Sequence, residues 1–237
     1  MKSFLIGLAG CAGVVSLTFF VLGPALAYSR VVPALPGFML FGLGMILGLL
    51  SSVAGLAMLV HSGWRLAAGL ALLGIPAAGF LIYSIVSVRA APAINDISTE
   101  LVYPPQFVQA LTLPENKGRD MGFPEGSKEQ IKSGYPGLQT LAMRGSVDDV
   151  FADAMDLARE QEGWKVASTV ITPDESILEG HAATRVFGFV DDFIIRVTKV
   201  DEGGCVVDMR SKSRDGKGDL GTNAKRIQLF LAQLESD

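Results

Sequence analysis

The feature that most constrains this chain is its charge distribution, because the first 88 residues are almost uncharged. The 237 residues include 20 Lys or Arg and 24 Asp or Glu. Only Lys2, Arg30 and Arg65 precede residue 89, and no acidic residue does. An ordinary soluble domain has about a quarter of its residues charged. We therefore expect the N-terminal part to lie in a membrane and the remainder to form a separate, charged domain.

Three charge-free runs in this first part predict three transmembrane helices. They cover residues 4–28, about 37–60, and 66–88. Each reaches the roughly 20 residues that a helix needs to cross about 30 Å of hydrocarbon. Because no run contains Asp, Glu, Lys or Arg, a transporter or pump with a charged path through the membrane is disfavoured. We interpret residues 1–90 as a membrane anchor of three helices.

Small residues and a proline within these runs predict how the helices pack. Gly44 and Gly48 have the G-x-x-x-G spacing of close helix packing, either within the chain or with a partner. Pro76 is expected to kink the third span.

The end of the first span raises the question of whether this span is cleaved as a signal peptide. Ala25 and Ala27 resemble a signal-peptide cleavage site. The run before them is longer than the usual hydrophobic region of such a peptide, and two more spans follow, which favours a retained helix.

Lys2 favours a cytoplasmic N-terminus, although the basic residues that flank the spans are otherwise balanced. Three crossings then place the C-terminal domain outside, in the periplasm at a bacterial inner membrane.

The polar half begins with a proline-rich stretch and continues with a regular pattern. Residues 91–137 hold six of the eleven prolines, which predicts an extended linker that wraps onto the domain. Its part from residue 114 to 132 is loop-like in composition. From residue 138 onward we expect a short strand, a helix capped by Ser146, four strands and a last helix. Short turns between the strands predict an antiparallel sheet, covered on one face by both helices. The fold class is thus a two-layer α+β domain in β-α-β4-α order.

The stretch DGKGDLG before the last helix has the glycine spacing of a dinucleotide-binding turn. In such a turn the first glycine follows the strand almost at once. Here four residues separate the strand from Gly216, so we expect no dinucleotide site. The stretch is interpreted as a loop that enters a helix capped by Asp219 or Thr222.

A cluster of basic residues surrounds this loop within an otherwise acidic domain. From residue 89 onward there are 17 basic and 24 acidic residues, a net charge of −7, which argues against a nucleic-acid binder. The cluster consists of Arg210, Lys212, Arg214, Lys217, Lys225 and Arg226. A basic loop at a helix N-terminus can bind an anion such as a lipid headgroup. The alternative is that these charges pair with neighbouring acidic residues.

Strand alternation predicts one apolar and one polar face of the sheet. The apolar face carries Leu178, Phe193, Ile195, Val197, Cys205, Val207 and Met209, and the polar face carries Glu179, His181, Arg196, Asp208 and Arg210. The polar face is either a ligand surface or a solvated face with cross-strand charge pairs, and we favour the second interpretation. The adjacent residues Asp191 and Asp192 point to opposite faces and cannot form a catalytic pair. With two His and two Cys in the chain, neither a metal site nor a Cys–His arrangement has support, so no cofactor is expected.

Several segments together resemble a known family. They are AINDISTELVYPPQF, YPGLQTL, GWKV, FGFVDDFIIRV and VDMRSKSRDGKGDLGTNAKRI. They are similar to the uncharacterised family called domain of unknown function 1499, over residues 94–237. Its members often carry membrane spans ahead of the domain, and Asn95 and Asp215 depart from its usual pattern. The resemblance implies one folded module and no particular activity.

These observations lead to three hypotheses about function. The first is a non-enzymatic, membrane-anchored module that binds a membrane lipid or a membrane-protein partner. Its candidate ligand-binding residues are Asp96, Thr99, Arg196, Asp208, Arg210, Ser211, Arg214, Asp219, Asn223 and Arg226. The second is an enzyme that acts on an envelope lipid with Asp96, Asp192 or Asp208 as acid–base groups, and it requires a concave pocket. The third is an envelope assembly factor.

Overall fold

The structure is a computed structural model that describes residues 2–88, 92–200 and 203–236. The described chain forms two compact units. One unit is built on the N-terminal helices. The other contains residues 92–184, 189–200 and 203–236.

The first unit contains three helical segments that are long and apolar enough to cross a membrane, as predicted. Its elements are α1 (Lys2–Tyr28), α2 (Ala34–Met58), a 3-10 helix (Ser62–Trp64), α3 (Arg65–Leu72) and α4 (Ile75–Val88). The third span consists of α3 and α4, which are separated by a break just before Pro76. A proline removes one backbone donor and crowds the preceding turn. The break therefore lies where the sequence predicted a kink.

The glycines of α2 are used for packing within the chain. A Cβ atom on Gly44 would lie 2.6 Å from the backbone nitrogen of Phe20 in α1. A Cβ atom on Gly48 would lie 2.7 Å from the carbonyl oxygen of Gly74. The Ser16 hydroxyl donates a hydrogen bond of 2.8 Å to the Gly44 carbonyl. Of the two uses considered for the G-x-x-x-G spacing, the structure supports close packing inside the unit.

The second unit is a six-stranded antiparallel sheet with helices, which confirms the predicted two-layer α+β class. Its strands are β1 (Asp96–Ser98), β2 (Leu141–Arg144), β3 (Trp164–Ile171), β4 (Glu175–Ala183), β5 (Val190–Val200) and β6 (Gly204–Ser213). Its helices are α5 (Gln109–Thr112), a 3-10 helix (Pro114–Asn116), α6 (Ser127–Gly134), α7 (Val147–Glu160) and α8 (Thr222–Ser236).

The strand order is β1-β6-β5-β4-β3, and β2 also pairs with β6. Opposite β1 lie residues 210–212 of β6, and opposite β2 lie residues 204–207. The strands β1 and β2 therefore lie end to end along the same edge of β6, with a gap between them.

One face of the sheet packs against α7 and α8, as the alternation predicted. The apolar residues assigned to this face are all buried in one core. Trp164 of β3 lies between Phe193 of β5 and Phe230 of α8, at ring-centroid distances of 4.4 and 5.4 Å. The first of the two predicted helices is capped by Ser146, whose hydroxyl accepts a hydrogen bond from the Asp149 amide.

The other face of the sheet is covered, so the expectation of a solvated polar face was wrong. Residues 99–123, which we call the covering segment, lie across it. Phe107, Ala110 and Met121 of this segment pack on Ile194 of β5 in a second apolar cluster. The alternation of the strands correctly assigned side chains to this face. It carried no information about the irregular segment that shields them from water.

Residues 91–137, expected to be a linker that wraps onto the domain, contain β1, α5 and α6 among their described part. The loop expected over residues 114–132 was wrong at its end, because α6 begins at Ser127. Its sequence is mostly polar, so tertiary packing of the buried Ile131 decides the helix.

We expect Gly44→Ala to lower the free energy of unfolding of the helical unit by about 1–3 kcal/mol, since the added methyl group would collide with backbone atoms of α1. Gly42→Ala, in the same helix, is the matched control, because its Cβ atom would meet no described atom within 4 Å. Unfolding of the full chain by SDS, followed by circular dichroism, measures both variants. Equal stability of the two would contradict the packing described.

Candidate functional site

The covered face of the sheet is organised by Arg210, which β6 places beneath the covering segment. Its side chain is 0% exposed. The guanidinium donates to both carboxylate oxygens of Asp96, from Nε at 2.9 Å and from Nη2 at 2.8 Å. It also donates to the carbonyl oxygens of Pro105 at 3.0 Å and Met121 at 2.8 Å. One side chain thus ties β1 and two points of the covering segment to β6.

Further contacts complete the surroundings of this ion pair. The rings of Phe107 and Phe123 lie 4.7 and 5.2 Å from the Arg210 Cζ atom, which adds cation–π attraction. The Lys212 ammonium donates to Asp96 Oδ2 at 2.8 Å. Because Asp96 has two cationic partners and Arg210 uses all three of its nitrogens, the buried charges are well compensated.

A second carboxylate, Asp208, accepts hydrogen bonds from residues on both sides of the gap in the sheet edge. Arg196 Nη2 donates to Asp208 Oδ2 at 2.9 Å. The hydroxyls of Thr99 and Thr140 both donate to Asp208 Oδ1. Thr99 follows β1 and Thr140 precedes β2, so Asp208 joins the two ends of the gap. The sequence predicted Thr99, Arg196 and Asp208, but not Thr140.

A third group surrounds Asp192 on the same face. Arg214 donates to its carboxylate from Nε and Nη2 at 2.6–3.1 Å, and Asn116 donates at 2.9 Å. His181 lies opposite Asp192 on β4. Burial lowers the pKa of Arg214, but the hydrogen bonds and charge of Asp192 outweigh it, so its pKa is raised. Within the described residues, the buried atoms His181 Nδ1 and Asn116 Oδ1 have no hydrogen-bond partner.

Glu179 fixes the covering segment to β4, a role that the sequence did not reveal. Its carboxylate accepts hydrogen bonds of 2.9–3.0 Å from the backbone amides of Val108, Gln109 and Ala110. These amides begin α5 and have no partner inside the helix. Since Glu179 is 71 residues away from Val108 in the chain, no local pattern could have indicated this cap.

The remaining predicted residues, Ser211, Asp219, Asn223 and Arg226, do not join Arg210 under the covering segment, because their contacts involve α8. The Ser211 hydroxyl donates to Asn223 Oδ1 at 2.7 Å, and Arg226 Nη1 donates to the Ser211 hydroxyl at 2.9 Å. Arg226 also pairs with Asp191. Asp191 and Asp192 thus have partners on opposite faces, as the alternation predicted. The ten predicted residues do not converge on one site.

The loop that contains DGKGDLG has the structural role that we favoured. The Asp219 carboxylate accepts hydrogen bonds from the amides of Gly221 at 2.9 Å and Asn223 at 2.7 Å, which caps α8. Burial raises the pKa of Asp219, although these two hydrogen bonds work in the opposite direction. Gly216 and Gly221 have φ angles of 81° and 82°, a region that favours glycine. These two glycines therefore allow the backbone to turn between β6 and α8.

An open cleft of 510 Å³, which we call the edge cleft, borders the gap between β1 and β2. It is lined by Thr99, Leu101, Ile131, Lys132, Tyr135, Pro136, Leu138, Gln139 and Thr140. Its walls combine hydroxyl, amide and ammonium groups with apolar side chains. The sequence missed this cleft as a site, because its residues come from two separated stretches, 99–101 and 131–140, that meet only when the domain folds.

Tyr135 is the most unusual residue of the edge cleft. Its hydroxyl oxygen is buried and has no hydrogen-bond partner among the described residues. Burial and then the charge of Asp219 raise the pKa of Tyr135, so the phenol is protonated at neutral pH. An unsatisfied buried hydroxyl is uncommon in a folded protein.

The carboxylates considered for acid–base catalysis are already engaged. Both oxygens of Asp96, Asp192 and Asp208 accept hydrogen bonds from side chains of the domain. A proton acceptor in catalysis needs an oxygen within reach of its substrate. In the part of the chain that the structure describes, no group of three or more His, Cys, Asp or Glu could hold a metal ion.

The site yields a prediction for the pH dependence of stability. Burial and then the charge of Arg214 lower the pKa of His181, partly offset by Asp192. The folded state therefore binds this proton less readily than the unfolded chain, whose His pKa is about 6.5. The corresponding stability is fully present above this pH and is lost as pH falls towards the folded-state pKa.

We expect His181→Gln to remove this dependence. The free energy of unfolding of the unsubstituted chain should fall relative to that of the variant between about pH 7 and 5. Trp164 fluorescence in a Trp64→Phe background measures it, and His61→Gln, which lies outside this unit, is the control. A constant difference across this pH range would contradict the role given to His181.

Comparison with known proteins agrees with the resemblance noted in the sequence. The family model described as a protein of unknown function (DUF1499) matches residues 96–234, more than half of the chain. No curated protein matches the chain. No solved structure matches it either. The matched region contains β1, the covering segment, the whole sheet and most of α8. The chain therefore belongs to the DUF1499 family of proteins of unknown function.

Proposed function

We propose that the protein is a membrane-anchored binding module and that its edge cleft holds the polar headgroup of a membrane lipid. The observation that carries this proposal is the cleft itself, where the polar residues Thr140 and Gln139 and the ring of Tyr135 lie beside Leu101 and other apolar residues. Its volume of 510 Å³ lies within the range of about 300–1,000 Å³ for small-molecule sites.

The internal pairing of the arginines supports the edge cleft over the basic cluster. The first hypothesis used Arg210 and Arg214 as anion ligands. Arg210 is fully buried and Arg214 donates to Asp192 from two nitrogens. A ligand at either residue would have to displace a buried carboxylate, which is costly. In this proposal Arg210 shapes the binding module and does not touch the ligand.

The lining of the edge cleft favours a particular ligand chemistry. Lys132 is exposed beside the cleft, and its only described ion pair joins it to the even more exposed Glu129. Such a surface pair is worth little and can yield to an anionic ligand. The Gln139 amide can donate to phosphate or polyol oxygens. The Thr140 hydroxyl already donates to Asp208 and can accept a hydrogen bond from a polyol hydroxyl. Leu101, Ile131 and Leu138 offer an apolar wall. Together these groups suit an amphiphile with a polar or anionic head.

The membrane anchor supports a lipid as the source of this ligand. Three candidate spans precede the domain, so its covalent connection keeps it at a membrane. We further propose a bacterial inner membrane with the N-terminus in the cytoplasm and the domain in the periplasm. Lys2 ahead of the first span supports this orientation.

Native mass spectrometry of the full-length protein, extracted gently from its own membrane, tests the proposal. We expect a retained lipid of defined mass. Gln139→Trp places a large ring in the edge cleft and should reduce the retained fraction by about tenfold or more, equivalent to about 1.4 kcal/mol. Gln228→Trp adds the same ring at an exposed position of α8 and should retain the lipid fully.

Two outcomes would overturn this assignment. One is a lipid retained equally by both tryptophan variants. The other is a co-purifying protein without any lipid, which would make the module a protein-interaction subunit of the envelope.

A further inference from the structure

The covering segment contains a long stretch without charge. From Leu101 to Pro114 there is no Asp, Glu, Lys or Arg, although Glu100 and Glu115 flank the stretch directly. The chain from residue 89 onward has 41 charged residues among 149. A charge-free run of fourteen residues is therefore unusual on the surface of this domain. We call residues 101–114 the uncharged stretch.

Several apolar side chains of the uncharged stretch point away from the domain. Val102 is 69% exposed, Tyr103 78%, Val108 67% and Leu111 56%. Their neighbours Phe107 and Ala110 are buried against the sheet. The stretch thus has an inner apolar side that covers the sheet and an outer apolar side that meets the surroundings. Exposed apolar side chains concentrated in one short stretch are typical of a surface for membrane or protein contact.

The backbone that presents these side chains is held in place by charged groups. The Glu100 carboxylate accepts hydrogen bonds from the amides of Val102 and Tyr103. Arg196 Nη2 donates to the Tyr103 carbonyl at 3.0 Å. Glu179 holds the amides of Val108, Gln109 and Ala110. Because both ends are fixed, the outer side chains do not turn inward, and contact with an apolar phase would not require the segment to order first.

We propose that the uncharged stretch contacts the surface of the lipid bilayer and inserts Val102, Tyr103, Val108 and Leu111 into its interfacial region. The protein has three candidate membrane spans, so the domain is covalently tethered to a bilayer, which is the apolar phase available to it. Tyrosine favours the membrane–water interface, because its ring is apolar and its hydroxyl is polar. The absence of charge over residues 101–114 removes the penalty for inserting ionised groups.

This contact gives the edge cleft access to lipid that is still in the bilayer. Thr99 and Leu101 line the cleft, and Val102 follows immediately in the chain. A lipid headgroup beside the inserted Val102–Tyr103 turn would therefore lie next to the cleft. This part of the inference rests on the proposed function, whereas the bilayer contact rests on the exposed apolar side chains alone.

Photo-crosslinking of the full-length protein in phosphatidylcholine vesicles tests the contact. The photoreactive residue p-benzoylphenylalanine is placed at Tyr103 or Val108 in separate variants, and lipid adducts are quantified by mass spectrometry. The matched control is Leu229 of α8, which is apolar and as exposed as Leu111, at 56%. We expect adducts at positions 103 and 108 to exceed those at 229 by about tenfold. Tyr103→Asp should reduce the adducts formed at position 108.

Equal lipid labelling at positions 103, 108 and 229, or adducts at 103 and 108 with protein alone, would overturn the bilayer contact. The result is separable from that of the edge cleft. Lipid adducts at position 103 together with full lipid retention by Gln139→Trp would support the contact and reject the cleft. The reverse combination would support the cleft and reject the contact.

Discussion

The buried ion pair between Arg210 and Asp96 is the interaction on which the rest of the domain depends. A charged guanidinium that is 0% exposed is tolerated only when its donors and its charge are satisfied. The sheet alone cannot provide this, because the strands adjacent to β6 contribute only part of the required partners. Asp96 comes from 114 residues earlier, and the carbonyls of Pro105 and Met121 come from the covering segment. The polar face of the sheet therefore requires the proline-rich segment to fold over it.

This requirement explains how a segment with little regular structure produces both proposed functional features. Asp96 anchors its beginning and Glu179 anchors α5. Between β1 and β2 the segment leaves the edge of β6, and the edge cleft forms there. On its outer side the segment presents apolar side chains instead of charges. The ionic groups beneath it are structural, while the groups proposed to meet a lipid are mostly neutral.

Sequence patterns predicted the regular part of this molecule well. Alternation in β3 to β6 and helical spacing in α7 and α8 reflect local periodicity. The structure confirms which side chains lie on each face of the sheet, although not that the polar face is solvated. The covering segment follows no period, so the burial of Arg210 beneath it could not be predicted. The mostly polar sequence of α6 likewise did not reveal that helix. A run of basic residues has the same pattern whether its charges bind a ligand or pair with distant acids. Tyr135, Gln139 and Thr140 gave no chemical signal, because their importance arises only from the gap in the sheet edge.

Hydrogen exchange of the full-length protein, with Asp96→Asn compared with Asp156→Asn, tests the central claim most directly. Among the described residues Asp156 pairs with Arg159 alone, and both side chains are exposed, so its loss should change little. Loss of Asp96 leaves Arg210 without its carboxylate, which costs about 3–5 kcal/mol for a buried pair. We expect the amides of Val108, Gln109 and Ala110 then to exchange about 100-fold faster, while those of β5 change far less. Unchanged exchange in the covering segment, or an equal increase throughout the domain, would contradict this expectation.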